Sequence, residues 1–126
     1  LETLKIYEER DIVATVRRVA PTFQKRLRAY ADHPMVGEVR CVGLIGAVEL
    51  VRNKKTKEPF DPKLTIGLKT AGFCQRHGLI TRAIMDSVAF CPPLIITDAQ
   101  INEMFDRFGR ALDEAHGWAK QEGLLG

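Results

Sequence analysis

The sequence predicts an α/β (α+β) domain, a small and mostly antiparallel sheet with helices packed on one face. Three observations predict it. Three stretches carry apolar residues every three or four positions, the period of an amphipathic helix. Between them lie short stretches rich in β-branched residues with period two, the mark of strands. The strands come in adjacent pairs, and hairpins alternating with helices bury their apolar surface as a layer of helix on a layer of sheet.

Each element has its own signal in chain order. Leu1, Leu4 and Ile6 suggest a short helix to about Glu9, and Arg10-Asp11 reads as a joint. Ile12, Val16, Val19, Phe23, Leu27 and Tyr30 then form one stripe on a helix of about five turns. Pro21 lies inside it, and an interior Pro costs roughly 3 kcal/mol. The stripe stays in phase past Pro21, so the helix is kept, bent near Arg17 to Pro21. His33-Pro34 ends it. Val36 to Val51 alternates, with Leu44, Gly46, Val48 and Leu50 on one face, and reads as two strands or one strand bent at Gly43. Arg52 to Pro62 reads as a polar, solvated loop holding the basic run Arg52, Lys54, Lys55 and Lys57.

Asp61-Pro62 is a helix-start signal, Asp as cap and Pro at the first helical position. Leu64, Leu68, Ala71 and Cys74 give that helix its expected stripe, and Gly78 its stop. Leu79 to Ile84 and Val88 to Cys91 read as a strand and its return across the Asp86-Ser87 turn, stopped by Pro92-Pro93. Thr97 and Gln100 form a capping box, followed by Ile101, Met104, Phe105, Phe108, Leu112 and Ala115 at helical spacing. Gly123 closes the tail. The expected organisation is one domain over 1–126. Helices lead in over 1–34, and strand-strand-helix-strand-strand-helix fills 35–126.

Composition narrows the function classes. The 126 residues suit one domain with a core of its own. The net charge of +3 comes from cations interleaved with acids, where a nucleic-acid binder shows a clustered basic stripe. No apolar run approaches the roughly 20 residues of a membrane helix. Cys41, Cys74 and Cys91 are odd in number, far apart and set among apolar neighbours. They suggest small hydrophobes in a reducing, cytoplasmic setting, not a disulfide framework or a zinc site. His33, His77 and His116 lack metal spacing and are expected in structural or surface roles. No phosphate loop or nucleophile elbow is present. The chain opens on Leu1 in the middle of an amphipathic pattern, so further chain is expected upstream.

Arg82 is the residue most suggestive of chemistry. Period two puts it on one strand face with Ile80 and Ile84, where a guanidinium is costly unless an anion meets it. Arginine suits a carboxylate, which it grips through two parallel hydrogen bonds. The competing reading is that Arg82 snorkels to solvent or pairs locally with Asp86.

Four stretches carry a resemblance. They are Val36 to Leu44, Gly46 to Val51, Gly78 to Arg82, and Pro92-Pro93-Leu94-Ile95-Ile96-Thr97 with the helix that follows. In this order and spacing the chain resembles the C-terminal small domain of class III pyridoxal-phosphate-dependent aminotransferases of the omega-amino-acid:pyruvate type. The resemblance implies a fold type I enzyme whose large domain holds pyridoxal 5'-phosphate on a Schiff-base lysine, with two subunits forming a homodimer. Cofactor, lysine and phosphate loops are then expected in the missing N-terminal region, and this chain alone is expected to be inactive. Its substrates would be small-molecule amines and keto acids, without nucleic acid or membrane.

Within that resemblance Arg82 matches the mobile arginine that pairs with the substrate carboxylate. Ornithine-type relatives carry theirs on the return strand, which here is Val88-Ala89-Phe90-Cys91 and holds none. Two departures stand out. Met85 precedes Asp86 where relatives often have glycine, and Cys91 stands where serine or alanine is common. The alternative reading is a regulatory domain with the same element order, in which Arg82 binds a regulatory amino acid. A bare element order carries no function by itself.

Overall fold

The computed structural model describes residues 1–126. Helix α1, Glu2–Glu9, buries none of its residues. Arg10 and Asp11 form the joint, with Asp11 at φ 43° and its carboxylate accepting from the Ala14 amide at 3.3 Å. Helix α2, Ile12–Arg28, runs unbroken through Pro21 and buries Val19, Phe23 and Leu27. A short 3-10 turn, Ala29–Asp32, leads to the sheet.

Strands β1, Val36–Val42, and β2, Ile45–Leu50, form a hairpin whose turn holds Gly43 at φ 54°, a left-handed conformation that glycine adopts at little cost. Two strands are present, so the single bent strand is ruled out. Helix α3 spans Ile66–Arg76, strands β3 and β4 span Arg82–Ile84 and Ser87–Phe90, and helix α4 spans Asp98–Gln121. The sheet order is β1-β2-β4-β3 with every pair antiparallel. The α/β class and the helix-on-sheet layering agree with the expectation.

One core lies between the sheet and helices α2, α3 and α4. Val48, Leu50, Val88 and Phe90 point into it from the sheet, and Phe105, Phe108, Leu112 and Ala115 from α4. Phe23, Tyr30, Phe90, Phe105 and Phe108 interlock, with Phe90 edge-on to Phe108 at 4.9 Å between centroids and tilted against Phe105 at 5.3 Å. The capping box of α4 is present in both directions between Thr97 and Gln100.

Several expectations need correction. Asp61 caps a 3-10 turn, Pro62–Leu64, and not α3; Thr65 then takes φ 49° and resets the phase. The buried face of α3 is therefore Ile66, Gly67, Thr70, Phe73 and Cys74, while Leu68 is 65% exposed. Most of the stretch from Arg52 to Pro62 is exposed, as expected, and its own cations order it. Arg52 pairs with Glu58, Lys54 donates to the Ala31 and His33 carbonyls, and Lys57 to the Gly37 carbonyl. Phe60, inside that nominally polar loop, belongs to the core. Strand β3 is three residues long, shorter than the stretch expected from Leu79, and β4 ends at Phe90. Cys74 is buried and Cys41 half-buried, but Cys91 is exposed, so the picture of small buried hydrophobes fails there.

Candidate functional site

Helices cover only one face of the sheet, and register defines what the other face presents. Arg82 of β3 pairs with Ala89 of β4, Ala89 with Ala47 of β2, and Ala47 with Arg40 of β1. One row across all four strands therefore reads Arg-Ala-Ala-Arg. Three strand spacings of roughly 4.8 Å set the two arginine backbones about 14 Å apart. The alanines keep the floor between them low.

The two arginines differ in what they already hold. Arg40 meets Glu38 and Glu49 at 2.8 Å each, and these acids, Glu49 first, stabilise its charged form. Arg82 is exposed and has no such acid. Arg26, Arg52, Arg76 and Arg107 are matched by Asp106, Glu58, Glu114 and Glu103. Arg10, Arg17, Arg18, Arg28 and Arg110, exposed outside the sheet, also lack an acid, so Arg82 is distinguished as the sheet arginine without one. Arg82 does share its face with Ile84, as the period indicated. That face is open, however, with Ile84 at 52% exposure, while Ile80 precedes the strand and is 90% exposed. Asp86, the local acid considered for it, is engaged elsewhere.

Asp86 ties the β3–β4 turn to two other elements. Its backbone carbonyl accepts from the Leu50 amide at 2.8 Å, at the end of β2. Its side-chain Oδ1 accepts from the Gly67 amide at 3.2 Å, in the first turn of α3. Burial raises the Asp86 carboxyl above the usual range, the Gly67 N–H opposes this, and nearby Glu49 adds to it. Contact here is close. A Cβ on Gly67 would lie 2.0 Å from the Met85 carbonyl oxygen. Met85 itself sits at φ 53°, a position that favours glycine in tight hairpins. The departure at Met85 thus has a structural consequence: a side chain occupies a left-handed turn position. The sequence marked this turn, but not its tie to α3, because the two segments are 19 residues apart.

Beside the hairpin lies an open groove of about 770 Å³. Phe60, Leu68, Ile84 and Met85 line it together with the carboxylates Glu49 and Asp86, and Arg82 lies outside it.

The remaining titratable groups join elements. His77 and Arg76 both meet Glu114 at 2.8 Å, pinning the end of α3 to α4 and lowering the Glu114 carboxyl through those hydrogen bonds. His33 accepts from the Met35 amide through Nδ1, lies 3.4 Å from Asp113, and stands edge-on to His116 at 5.5 Å. Burial pushes its pKa down, partly offset by Asp113. Burial raises the Cys74 thiol, as expected of an unreactive core cysteine.

A pyridoxal-phosphate site can be tested against these residues. It needs a lysine placed for a Schiff base and a cradle for phosphate. None of the lysines is buried, and the least exposed, Lys54, is spent on backbone carbonyls. The residues present do not build that site by themselves.

The sequence pattern of class-III aminotransferases matches residues 1–112. A putrescine–pyruvate aminotransferase of Pseudomonas aeruginosa is 44% identical over 115 residues, covering 90% of this chain and 25% of its own length. A chloroplastic gamma-aminobutyrate transaminase 3 of Solanum lycopersicum is 40% identical over 114 residues, covering 90% of this chain and 22% of its own length. Among solved structures, a transaminase with L-alanine superposes with a TM-score of 0.87 at 46% identity, covering 92% of this chain and 27% of that one. The omega transaminase of Pseudomonas jessenii in complex with PMP gives 0.87 at 44%, covering 93% and 26%. The chain thus spans about a quarter of the length of the relatives it matches. With the pattern matched over 112 of 126 residues and the sheet and helices superposed on solved transaminases, the chain belongs to the class-III aminotransferase family.

Proposed function

We propose that the full-length protein carrying this chain is a pyridoxal-phosphate-dependent transaminase that moves an amino group from an amine or omega-amino acid to pyruvate or a similar keto acid. In this reading the domain closes over the active site, and Arg82 receives the carboxylate of the keto acid. The rest of the protein holds the cofactor, which supplies the electron sink when bound. The residues here contribute positioning, which acts by holding the reacting groups in one geometry. A homodimer and a cytoplasmic location, suggested by three unpaired cysteines, belong to the same reading.

One observation carries it. Arg82 stands exposed on the open face of the sheet, over the small Ala89, with no internal acid to satisfy it. A planar guanidinium left free in that way is suited to a carboxylate that arrives and leaves. The Pseudomonas aeruginosa relative, named for putrescine and pyruvate, supports an amine donor and this acceptor.

Half-reactions measured separately in the full-length protein test it. Arg82→Ala is expected to slow the half-reaction with pyruvate or alanine by roughly ten- to a hundredfold, the scale of a hydrogen bond to a charged group. The half-reaction with a simple amine should fall only a few-fold. Arg82→Lys should recover part of the loss, because an ammonium lacks the two-pronged fork. Equal loss in both half-reactions would make Arg82 structural.

A further inference from the structure

Thr65, the residue preceding α3, has a left-handed backbone and makes no side-chain cap. The N–H groups of a helix's first turn need acceptors from outside the helix. Here the acceptor comes from the β3–β4 turn, where Asp86 Oδ1 takes the Gly67 N–H. An acidic group at that place is also favoured by the helix dipole. The residue that caps α3 is therefore the second residue of the turn that carries Arg82, four positions further back.

The contact is built to hold position. Gly67 leaves room for the Met85 carbonyl that a Cβ would fill. Leu50 holds the same turn from β2 through the Asp86 carbonyl. β3 is a three-residue edge strand, paired on one side only, through Arg82–Ala89, Ala83–Val88 and Ile84–Ser87. An edge strand this short has little pairing of its own to fix its register. The turn anchors supply what the strand lacks.

We propose that Asp86 is the positioning residue for Arg82: by capping α3 it locks the β3–β4 hairpin and so sets where the guanidinium meets the substrate carboxylate. The inference rests on the carboxylate reading of Arg82, and its consequences can be separated from that reading.

The test uses Asp86→Ala and Asp86→Asn in the full-length, cofactor-loaded protein, with Arg82→Ala and the Arg82→Ala/Asp86→Ala double variant alongside. Asp86→Ala should raise KM for pyruvate by roughly three- to tenfold, a part of the loss expected from removing the Arg82 contact itself, and leave the amine half-reaction within about twofold. Asp86→Asn keeps an acceptor oxygen for Gly67 and should stay within about twofold of the wild type in both. In the Arg82→Ala background, adding Asp86→Ala should have no further effect on pyruvate, since coupled residues do not add. An undiminished second loss there, or an equal loss with amine and pyruvate, overturns the proposal.

Amide hydrogen exchange reads the anchor without substrate. Asp86→Ala should speed exchange at Gly67 and across the hairpin, and Asp86→Asn should not; unchanged exchange in Asp86→Ala overturns the proposal. If exchange responds as expected while Arg82→Ala fails to discriminate pyruvate from amine, the anchor stands and the carboxylate reading of Arg82 falls.

Discussion

The two faces of the sheet are made of the same four strands and do different work. The covered face presents Val48, Leu50, Val88 and Phe90 to three helices and holds the core. The open face presents Arg40, Ala47, Ala89 and Arg82 in one row, with Ile84 in the next. Substitution on the covered face removes buried apolar surface and leaves a cavity, which costs stability. Substitution on the open face removes little that the fold uses. The difference teaches where to look for function: on the open face, where Arg82, unlike Arg40, has no acid partner.

The comparison breaks if the covered face proves cheap to alter. Phe108 is fully buried against Phe90 and Tyr30. Phe108→Ala should cost roughly 3–5 kcal/mol in chemical denaturation. Arg82→Ala, measured in the same way, should stay within about 0.5 kcal/mol of the wild type, as an exposed site does. A loss below about 1 kcal/mol for Phe108→Ala would show that α4 does not pack as described.

The β3–β4 turn, which rests on α3, gives an intermediate effect. Gly67→Ala drives a Cβ to within 2.0 Å of the Met85 carbonyl, so backbone must move. Overpacking of this kind should cost roughly 1–3 kcal/mol. A neutral Gly67→Ala would mean that the turn does not rest on α3.

The smallest effect sharpens the comparison through pH. Burial lowers the His33 pKa from its ordinary 6.5. Between that value and the lowered folded one, the unfolded chain takes up a proton that the folded chain refuses. Stability should therefore be full above about 6.5 and decline as pH falls through this window. His33→Gln should flatten that part of the stability–pH curve. An unchanged slope would show that Asp113 fully offsets the burial. Arg82→Ala, on the open face, should leave the curve as it is.

Much of the covered face was legible from residues alone. Period two in Gly46, Val48 and Leu50 marked the buried side of β2, and Thr97 with Gln100 marked the start of α4. The α3 stripe differs from the expected one because Asp61-Pro62 signals a turn as readily as a helix, and Thr65 then shifts the phase. Phe60 was missed because its neighbours are polar, and burial there comes from where the loop lands. For Arg82, alternation gave Ile84 as its neighbour on the face, whereas Ile80 falls before β3 begins, and alternation does not say what covers a face. The tie from Asp86 to Gly67 joins residues far apart in sequence, and local patterns do not report it.

The central claim is that Arg82 recognises a carboxylate, and one ratio tests it most directly. In the full-length protein, kcat/KM is compared for pyruvate and for a neutral aldehyde acceptor of similar size, with and without Arg82→Ala. The preference for pyruvate should shrink by roughly ten- to a hundredfold in the variant, because only pyruvate loses a charged hydrogen-bond partner. A ratio that stays the same, with both acceptors slowed alike, would contradict it.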